Sequence, residues 1–154
     1  SPRCFPSSKT RNIKLICTNK EFETQEQEYF KNLNVENHIV NLNPNDNILA
    51  NLYENAIALI FPSLYEGFGM PIIEAFSLNC PVVCSDIPVF QEIAEDAAIY
   101  FNPKSYSDIK QKVNKILNEK NLVNDLKGKG LERAKAFNWE QTAQQTINLY
   151  KQHS

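Results

Sequence analysis

Short apolar runs recur along the first two-thirds of the chain and are separated by longer amphipathic stretches. Each run is rich in β-forming residues, which predicts a strand. The predicted strands lie at 12–17, 38–43, 57–62, 81–85 and 98–101. The first of them, NIKLIC, is apolar enough to predict a buried strand.

The stretches between the runs place apolar residues at helical spacing on polar segments, which predicts helices. These helices lie at 21–34, 45–56, about 71–78 and 89–95. From residue 105 onward the pattern is helical throughout, with helices near 105–119, 121–136 and 139–151. Gly128 and Gly130 are expected to weaken the middle one, because glycine is a poor helix former.

Strands that alternate with helices and are apolar on both faces indicate a parallel sheet covered by helices on both sides, an α/β doubly wound fold. A length of 154 residues suits a single domain over 1–154, in which 105–154 form a helical extension. The start, SPRCFPSSKT, is polar and lacks an initiator methionine. Residues 1–11 are therefore expected to be disordered or to be the edge of a cut fragment.

Composition narrows the possible functions. A formal net charge of −2 gives no electrostatic footprint for nucleic acid, although a loose basic group lies at Lys127, Lys129, Arg133 and Lys135. No apolar run approaches the roughly 20 residues of a membrane span, and no signal peptide is visible. Cys17 and Cys84 lie in apolar runs, and Cys80-x3-Cys84 has the wrong spacing for zinc. We therefore expect a cytoplasmic protein with reduced thiols and no metal site.

The stretch PSLYEGFGMPIIEA at 62–75 carries two of the four glycines in the chain. It follows the predicted strand 57–62, and ligands of open α/β sheets bind outside the carboxyl ends of the strands. Gly67 and Gly69 allow backbone to approach a ligand closely, and Pro71 suits the first position of a helix. The stretch therefore predicts free backbone N–H groups beside a helix N-terminus, an arrangement that attracts phosphate.

Two carboxylates, Glu66 in the turn and Glu74 in the helix, have seven residues between them. A carboxylate repels phosphate but accepts hydrogen bonds from hydroxyls, such as those of a ribose or a sugar. Together with the amides they fit a nucleoside diphosphate sugar. Plainer interpretations stay open: Glu74 is favourable through the helix dipole alone, Glu66 is solvated, and the glycines make a tight connection. The spacing matches neither G-x-G-x-x-G nor a P-loop.

The longer stretch FPSLYEGFGMPIIEAFSLNCPVVCSD closely resembles the donor-site segment of the GT-B glycosyltransferases of family 4, the glycosyl transferases group 1. Glu66 and Glu74 match the E-x7-E motif of that family. Three more stretches resemble the family in the same order along the chain: NILANLYENAIALIFPS, EIAEDAAIYFNP and KGLERAKAFNWEQTAQQTINLY. The similarity covers most of residues 35–150.

The resemblance implies a Rossmann-like fold, one half of a GT-B enzyme, in which the C-terminal half binds the donor. It implies retaining transfer of a sugar from a nucleoside diphosphate sugar to an acceptor hydroxyl, with no cofactor and no required metal. By the same resemblance, Glu74 binds the ribose hydroxyls, and Glu66 lies by the donor sugar as the catalytic residue. The expected backbone contacts to sugar and diphosphate are Gly67, Phe68, Gly69 and Met70. Replacing Glu74 by alanine is expected to abolish nucleotide binding or turnover in the parent enzyme with little loss of fold.

The loop after HIVNL, near Val40 to Asn43, is expected from the resemblance to face the base, with Val40 and Asn41 as the donor-binding residues. Family members usually hold the diphosphate with a basic pair in the loop after their first strand, and Arg3, Lys9 and Arg11 do not fit that pattern. The first strand with most of its helix, this basic loop and the N-terminal acceptor domain are therefore expected to be missing. Either the parent protein is truncated or a partner chain supplies the rest, and the fragment alone is expected to be inactive. Membrane contact is expected only through that missing half.

The acceptor expected from the resemblance is a sugar or lipid-linked glycan in cell-surface polysaccharide or glycolipid synthesis. SLYEGFGMP is similar to bacterial mannosyltransferase-like members of the family. Two alternatives stay open. The chain could be a non-catalytic module that binds a partner glycosyltransferase or a sugar nucleotide, or part of another GT-B enzyme such as a nucleotide-sugar epimerase.

Overall fold

The computed structural model describes residues 13–18 and 21–137. The chain divides into two compact units, residues 1–46 and 47–154. Each unit holds a parallel sheet, and helices alternate with the strands, which confirms the predicted Rossmann-like α/β class. The single domain over 1–154 stays a prediction. The edge at 1–11 and the predicted helix at 139–151 lie outside the described residues.

The first unit contains two parallel strands and the helix between them. They are β1 (Leu15–Thr18), α1 (Thr24–Asn32) and β2 (Ile39–Leu42), with a short 3₁₀ helix at Glu36–His38. Leu15 pairs with Ile39 and Thr18 with Leu42. At the start of α1 the Glu26 carboxylate accepts a 2.8 Å hydrogen bond from the backbone N–H of Glu23, which satisfies a donor that the helix itself leaves unpaired.

The prediction that the first strand is buried is wrong. The side chains of Leu15 and Ile16 on β1 are 51% and 41% exposed. Helix α1 has no buried residue, so it does not form a covering layer with a closed core. The apolar pattern correctly predicted a strand, but burial requires a second layer of structure packed on it.

The second unit carries the remaining elements, beginning with α2 at the unit boundary. In chain order they are α2 (Asp46–Asn55), β3 (Leu59–Phe61), α3 (Met70–Ser77), β4 (Val82–Ser85), α4 (Pro88–Ala94), β5 (Ala98–Phe101), α5 (Tyr106–Asn118) and α6 (Lys120–Lys135). The strand order is β3-β4-β5, and every pair is parallel. Each predicted element that falls on described residues is present, with ends that shift by a few residues.

Strand β4 forms the centre of the core. Its side chains alternate between two apolar clusters, because successive residues of a strand point to opposite faces. Val82 and Cys84 belong to the cluster that contains Phe76 of α3 and Phe90 of α4. Val83 belongs to the other cluster, whose members include Ile99 and Phe101 of β5, Ile116 of α5 and Leu126 of α6. Helices thus cover both faces of this sheet.

Helix α6 continues without a break through Gly128 and Gly130. Gly130 is buried against the ring of Phe76, and a Cβ atom there would lie 2.7 Å from Phe76 Cδ1. Gly128 is exposed, and a Cβ atom there would meet nothing within 4 Å. The two glycines therefore differ: Gly130 permits close packing of α6 on α3, whereas Gly128 makes no such contact. Among the described helices, none has the length and apolar character needed to cross a membrane.

Candidate functional site

The turn at residues 62–69 leaves the carboxyl end of β3 and leads into α3. Gly69 caps the helix with φ of 84° and ψ of 39°, a left-handed conformation that favours glycine. A Cβ atom at Gly69 would lie 3.0 Å from Phe90 Cε1. Gly67 has no positive φ, and a Cβ atom there would meet nothing within 4 Å. The fold therefore requires glycine at 69, while at 67 the backbone faces open space.

The turn also supplies backbone donors at the N-terminus of α3. Within the described part of the chain, the backbone N–H groups of Gly67, Gly69 and Met70 make no hydrogen bond. Pro71 occupies the first turn, where its missing N–H leaves no partner unsatisfied. The N–H of Ile72 donates to the Gly69 carbonyl at 3.0 Å. Free donors and the positive end of a helix dipole together favour a bound anion.

Hydrogen bonds tie together the carboxyl ends of the three strands beneath this turn. Ser85, the last residue of β4, is fully buried, and its Oγ donates to the Phe61 carbonyl of β3 at 3.5 Å. The backbone N–H of Asp86 donates to the Phe101 carbonyl of β5 at 2.7 Å. The sequence analysis did not single out Ser85, because a serine after an apolar run gives no distinct signal.

Glu74 lies half-buried on α3, one turn beyond the helix N-terminus. The hydroxyl of Tyr53, on α2, donates to Glu74 Oε2 at 3.3 Å. Burial of the tyrosine, and then the adjacent Glu74 charge, raise the pKa of Tyr53 well above its usual value, so the hydroxyl stays protonated. Tyr53 was not among the residues predicted for this site, although it lies in the stretch NILANLYENA that contributed to the resemblance.

Glu66 is half-buried in the turn itself and precedes Gly67 directly. Its neighbours include large apolar side chains that are exposed, with Tyr65 88% and Phe68 43% accessible. The Phe68 ring meets the Phe137 ring edge-on, with centroids 6.1 Å apart. The structure thus places Glu66, Gly67, Phe68, Gly69, Met70 and Glu74 on one turn and the first helical turns that follow it.

The structure places Val40 and Asn41, the residues expected to face the base, in the strand predicted at 38–43, and their contact with the base stays a prediction. Both lie inside β2, where Val40 pairs with Ile16 and Asn41 with Cys17 of β1. The strand β2 ends at Leu42, which pairs with Thr18 of β1. These two residues belong to the first unit, and the Glu66–Glu74 segment belongs to the second.

The basic group on α6 is largely neutralised by neighbouring acids. Lys129 lies 3.0 Å from carboxylate oxygens of both Asp96 and Asp125. Arg133 donates to the carbonyls of Ile93 at 2.7 Å and Glu92 at 2.6 Å, at the end of α4. These contacts line an open groove of about 630 Å³. Because Lys129, Arg133 and Lys135 are ion-paired, the described contacts of this group give no indication of a separate anion site.

The fold defines the general class of this protein. Parallel sheets with flanking helices are the architecture of the GT-B glycosyltransferases. The family model of the glycosyl transferases group 1 matches residues 4–133. The chain belongs to this family.

The relatives of this chain include bacterial mannosyltransferases. O-antigen chain mannosyltransferase B of Escherichia coli is 39% identical over 106 residues, which cover 69% of this chain and 28% of that protein. Serotype-specific mannosyltransferase WbdA of Escherichia coli is 51% identical over 71 residues, 46% of this chain and 9% of that protein. This chain therefore spans well under a third of the length of each of these relatives.

Solved structures agree with the fold. Sucrose-phosphate synthase from Thermosynechococcus elongatus superimposes with a TM-score of 0.80 at 26% identity, over 90% of this chain and 38% of that one. A glycosyltransferase from Rickettsia africae gives a TM-score of 0.80 at 19% identity, over 94% of this chain and 41% of that one. The second likeness supports the architecture alone.

Proposed function

We propose that this chain binds the donor, a nucleoside diphosphate sugar, for a retaining glycosyltransferase. The observation that carries the proposal is the Gly69 turn, which presents unpaired amides at the N-terminus of α3 between the carboxylates of Glu66 and Glu74. Amides and a helix N-terminus suit the diphosphate, and acceptor-only carboxylates suit the hydroxyls on either side of it.

In this proposal the two glutamates have separate roles. Glu74 accepts hydrogen bonds from the ribose hydroxyls, and Glu66 lies by the donor sugar. As the bond between the anomeric carbon and the diphosphate oxygen breaks, the amides near Gly67 and Gly69 stabilise the departing negative charge. The Glu66 carboxylate stabilises the positive charge that develops on the sugar. The acceptor hydroxyl forms the new bond on the same face and gives up its proton to the departing diphosphate.

We propose that the sugar is mannose and that it is transferred to a growing cell-surface polysaccharide. This choice of sugar and acceptor follows from the relatives, which include O-antigen chain mannosyltransferase B and WbdA. We further propose that the transfer takes place at the cytoplasmic side and requires no metal. The matched segment covers only 28% of O-antigen chain mannosyltransferase B. We therefore propose that the acceptor is recognised by a part of the enzyme outside this matched segment.

The test begins with nucleotide binding by ligand-observed NMR, using GDP, UDP, ADP and dTDP. Selective binding of one diphosphate that weakens in Glu74→Gln supports the donor site and identifies the base. Glu66→Gln should leave binding of the free diphosphate intact but reduce sugar transfer from the matching nucleotide sugar. Glu54→Gln, an exposed glutamate beside Tyr53, is the matched control and should change neither.

Two outcomes would contradict the proposal. If no diphosphate binds the intact protein, the turn is not a donor site. If a sugar nucleotide binds with Glu74-dependent affinity but the intact protein, together with an acceptor-binding half, transfers no sugar to any glycan acceptor, the chain is a non-catalytic binding module instead.

A further inference from the structure

Tyr53 and Glu74 lie on different helices and meet through their side chains. The Tyr53 hydroxyl is 3.3 Å from Glu74 Oε2, and the tyrosine as a whole is only 9% exposed. We infer that Tyr53 is a positioning residue, which fixes the Glu74 carboxylate in the orientation that receives the ribose hydroxyls. The inference rests on the proposed function of Glu74 and adds a residue to that same site.

The direction of the hydrogen bond supports this role. An ionised carboxylate only accepts hydrogen bonds and has about four lone-pair sites on its two oxygens. The Tyr53 hydroxyl keeps its proton, because burial and the Glu74 charge both raise its pKa. It therefore donates to Oε2, while Oε1 has no hydrogen-bond partner among the described residues. One side of the carboxylate is held by the protein, and the other remains available to a pair of vicinal hydroxyls.

The tyrosine ring is itself held in place. It belongs to the apolar cluster that includes Ile72, Ile73 and Phe76 of α3. A phenylalanine would fill the same space, so packing alone does not account for the hydroxyl. A free glutamate samples several rotamers and must lose that freedom when it binds a ligand. Fixing it beforehand lowers this cost, which is the general benefit of preorganisation. The 3.3 Å separation is long for such a bond, and bonds of this kind often tighten when the ligand is present.

The experiment compares Tyr53→Phe with Tyr100→Phe in the intact protein. Tyr100 is a matched control, because its hydroxyl donates to the Glu95 carbonyl at 2.6 Å and its pKa is likewise raised by burial. The probes are UDP, GDP and ADP, each measured beside its 2′,3′-dideoxy form. We expect Tyr53→Phe to weaken binding of the ribose form about fivefold to tenfold, the effect of losing roughly one hydrogen bond. Binding of the dideoxy form should not change, and Tyr100→Phe should affect neither.

The loss of nucleotide affinity caused by Tyr53→Phe should also depend on Glu74. Glu74→Gln by itself weakens binding of the ribose form. When Tyr53→Phe is added to that variant, the further loss of affinity should be clearly smaller than in the wild type, because the two residues act through one contact. Additive losses would mean that Tyr53 acts independently of Glu74 and would overturn the inference.

The remaining outcomes separate the inference from the proposed function. Equal weakening of ribose and dideoxy forms by Tyr53→Phe would mean that it acts through the fold, which overturns the positioning role. If Glu74→Gln weakens nucleotide binding and Tyr53→Phe does not, the inference is overturned and the proposed function stands. If wild-type protein binds no probe, or if Glu74→Gln has no effect, the proposed role of Glu74 fails and the inference fails with it.

Discussion

Alanine at each of the two α6 glycines should change stability in opposite directions. Both glycines lie inside one helix, so each substitution gains about 0.8–1.0 kcal/mol of helix propensity. At the exposed Gly128 a Cβ atom meets nothing within 4 Å, and the whole gain should appear as added stability. For a chain of this size that corresponds to a rise in melting temperature of roughly 2–4 °C.

At Gly130 the same gain is opposed by overpacking. The new Cβ atom would lie 2.7 Å from Cδ1 of Phe76, a residue that is 1% exposed and packs within a buried apolar cluster. Inserting a methyl group into a filled core costs about 1–3 kcal/mol. Gly130→Ala should therefore be destabilising by up to about 2 kcal/mol after the propensity gain is included. Because both variants gain the same helix propensity, the difference between their free energies of unfolding measures the cost of the clash at residue 130.

The assay is thermal and urea unfolding of both variants, followed by far-UV circular dichroism. The urea m-values should match that of the wild type, so that the change in midpoint reports stability alone. Phe76→Leu in the Gly130→Ala background should recover part of the loss, because the smaller side chain makes room for the methyl group. If the two alanine variants unfold at the same midpoint, the packing of α6 on Phe76 is not as described and the reasoning fails.

Three further predictions concern other contacts of the second unit and one thiol of the first. Gly69→Ala should destabilise the fold by about 1–2 kcal/mol through its positive φ, whereas Gly67→Ala should leave unfolding unchanged and weaken nucleotide binding. Arg133→Lys should cost about 1–3 kcal/mol in urea unfolding, because lysine cannot span the two α4 carbonyls and Glu95. Alkylation of the native protein, followed by mass spectrometry, should show that Cys17 is modified well before Cys84. Burial raises the pKa of the Cys84 thiol to about 12, and the thiolate is the reactive form.

Each of these has a result that would count against it. Equal stability of the Gly67 and Gly69 variants would contradict the left-handed conformation at 69. Lys135→Ala is the control for Arg133, since its 2.6 Å ion pair with Glu132 is exposed at both ends and should contribute little. Arg133→Lys keeps the positive charge, so unchanged stability in that variant would show that the ion pair with Glu95, rather than the carbonyl contacts, accounts for the role of Arg133. Rapid alkylation of Cys84 would indicate that β4 opens readily.

The structure also changes how Glu74 should be tested. The sequence alone suggested that alanine at this position would leave the fold nearly intact. Alanine would leave the buried Tyr53 hydroxyl without its carboxylate partner, and an unsatisfied buried donor costs about 1–3 kcal/mol. Glutamine keeps an oxygen for Tyr53 and removes the charge, so Glu74→Gln distinguishes loss of binding from loss of stability.

The amino-acid sequence by itself determined the order of strands and helices, the parallel α/β class and the Glu66–Glu74 turn. These features depend on local periodicity, on turn residues and on the ordered resemblance to a family, all of which can be read along the chain. Even α6 was predicted correctly across two glycines, because its apolar spacing continues on both sides of them.

Only the tertiary structure decided which residues meet across those elements. The exposure of Leu15, the different surroundings of Gly128 and Gly130 and the contact between Tyr53 and Glu74 depend on residues distant in sequence. No local pattern records such contacts, because the same apolar run or glycine suits a buried or an open position equally well. What covers a strand, fills the space beside a glycine or holds a carboxylate is settled when the layers pack together.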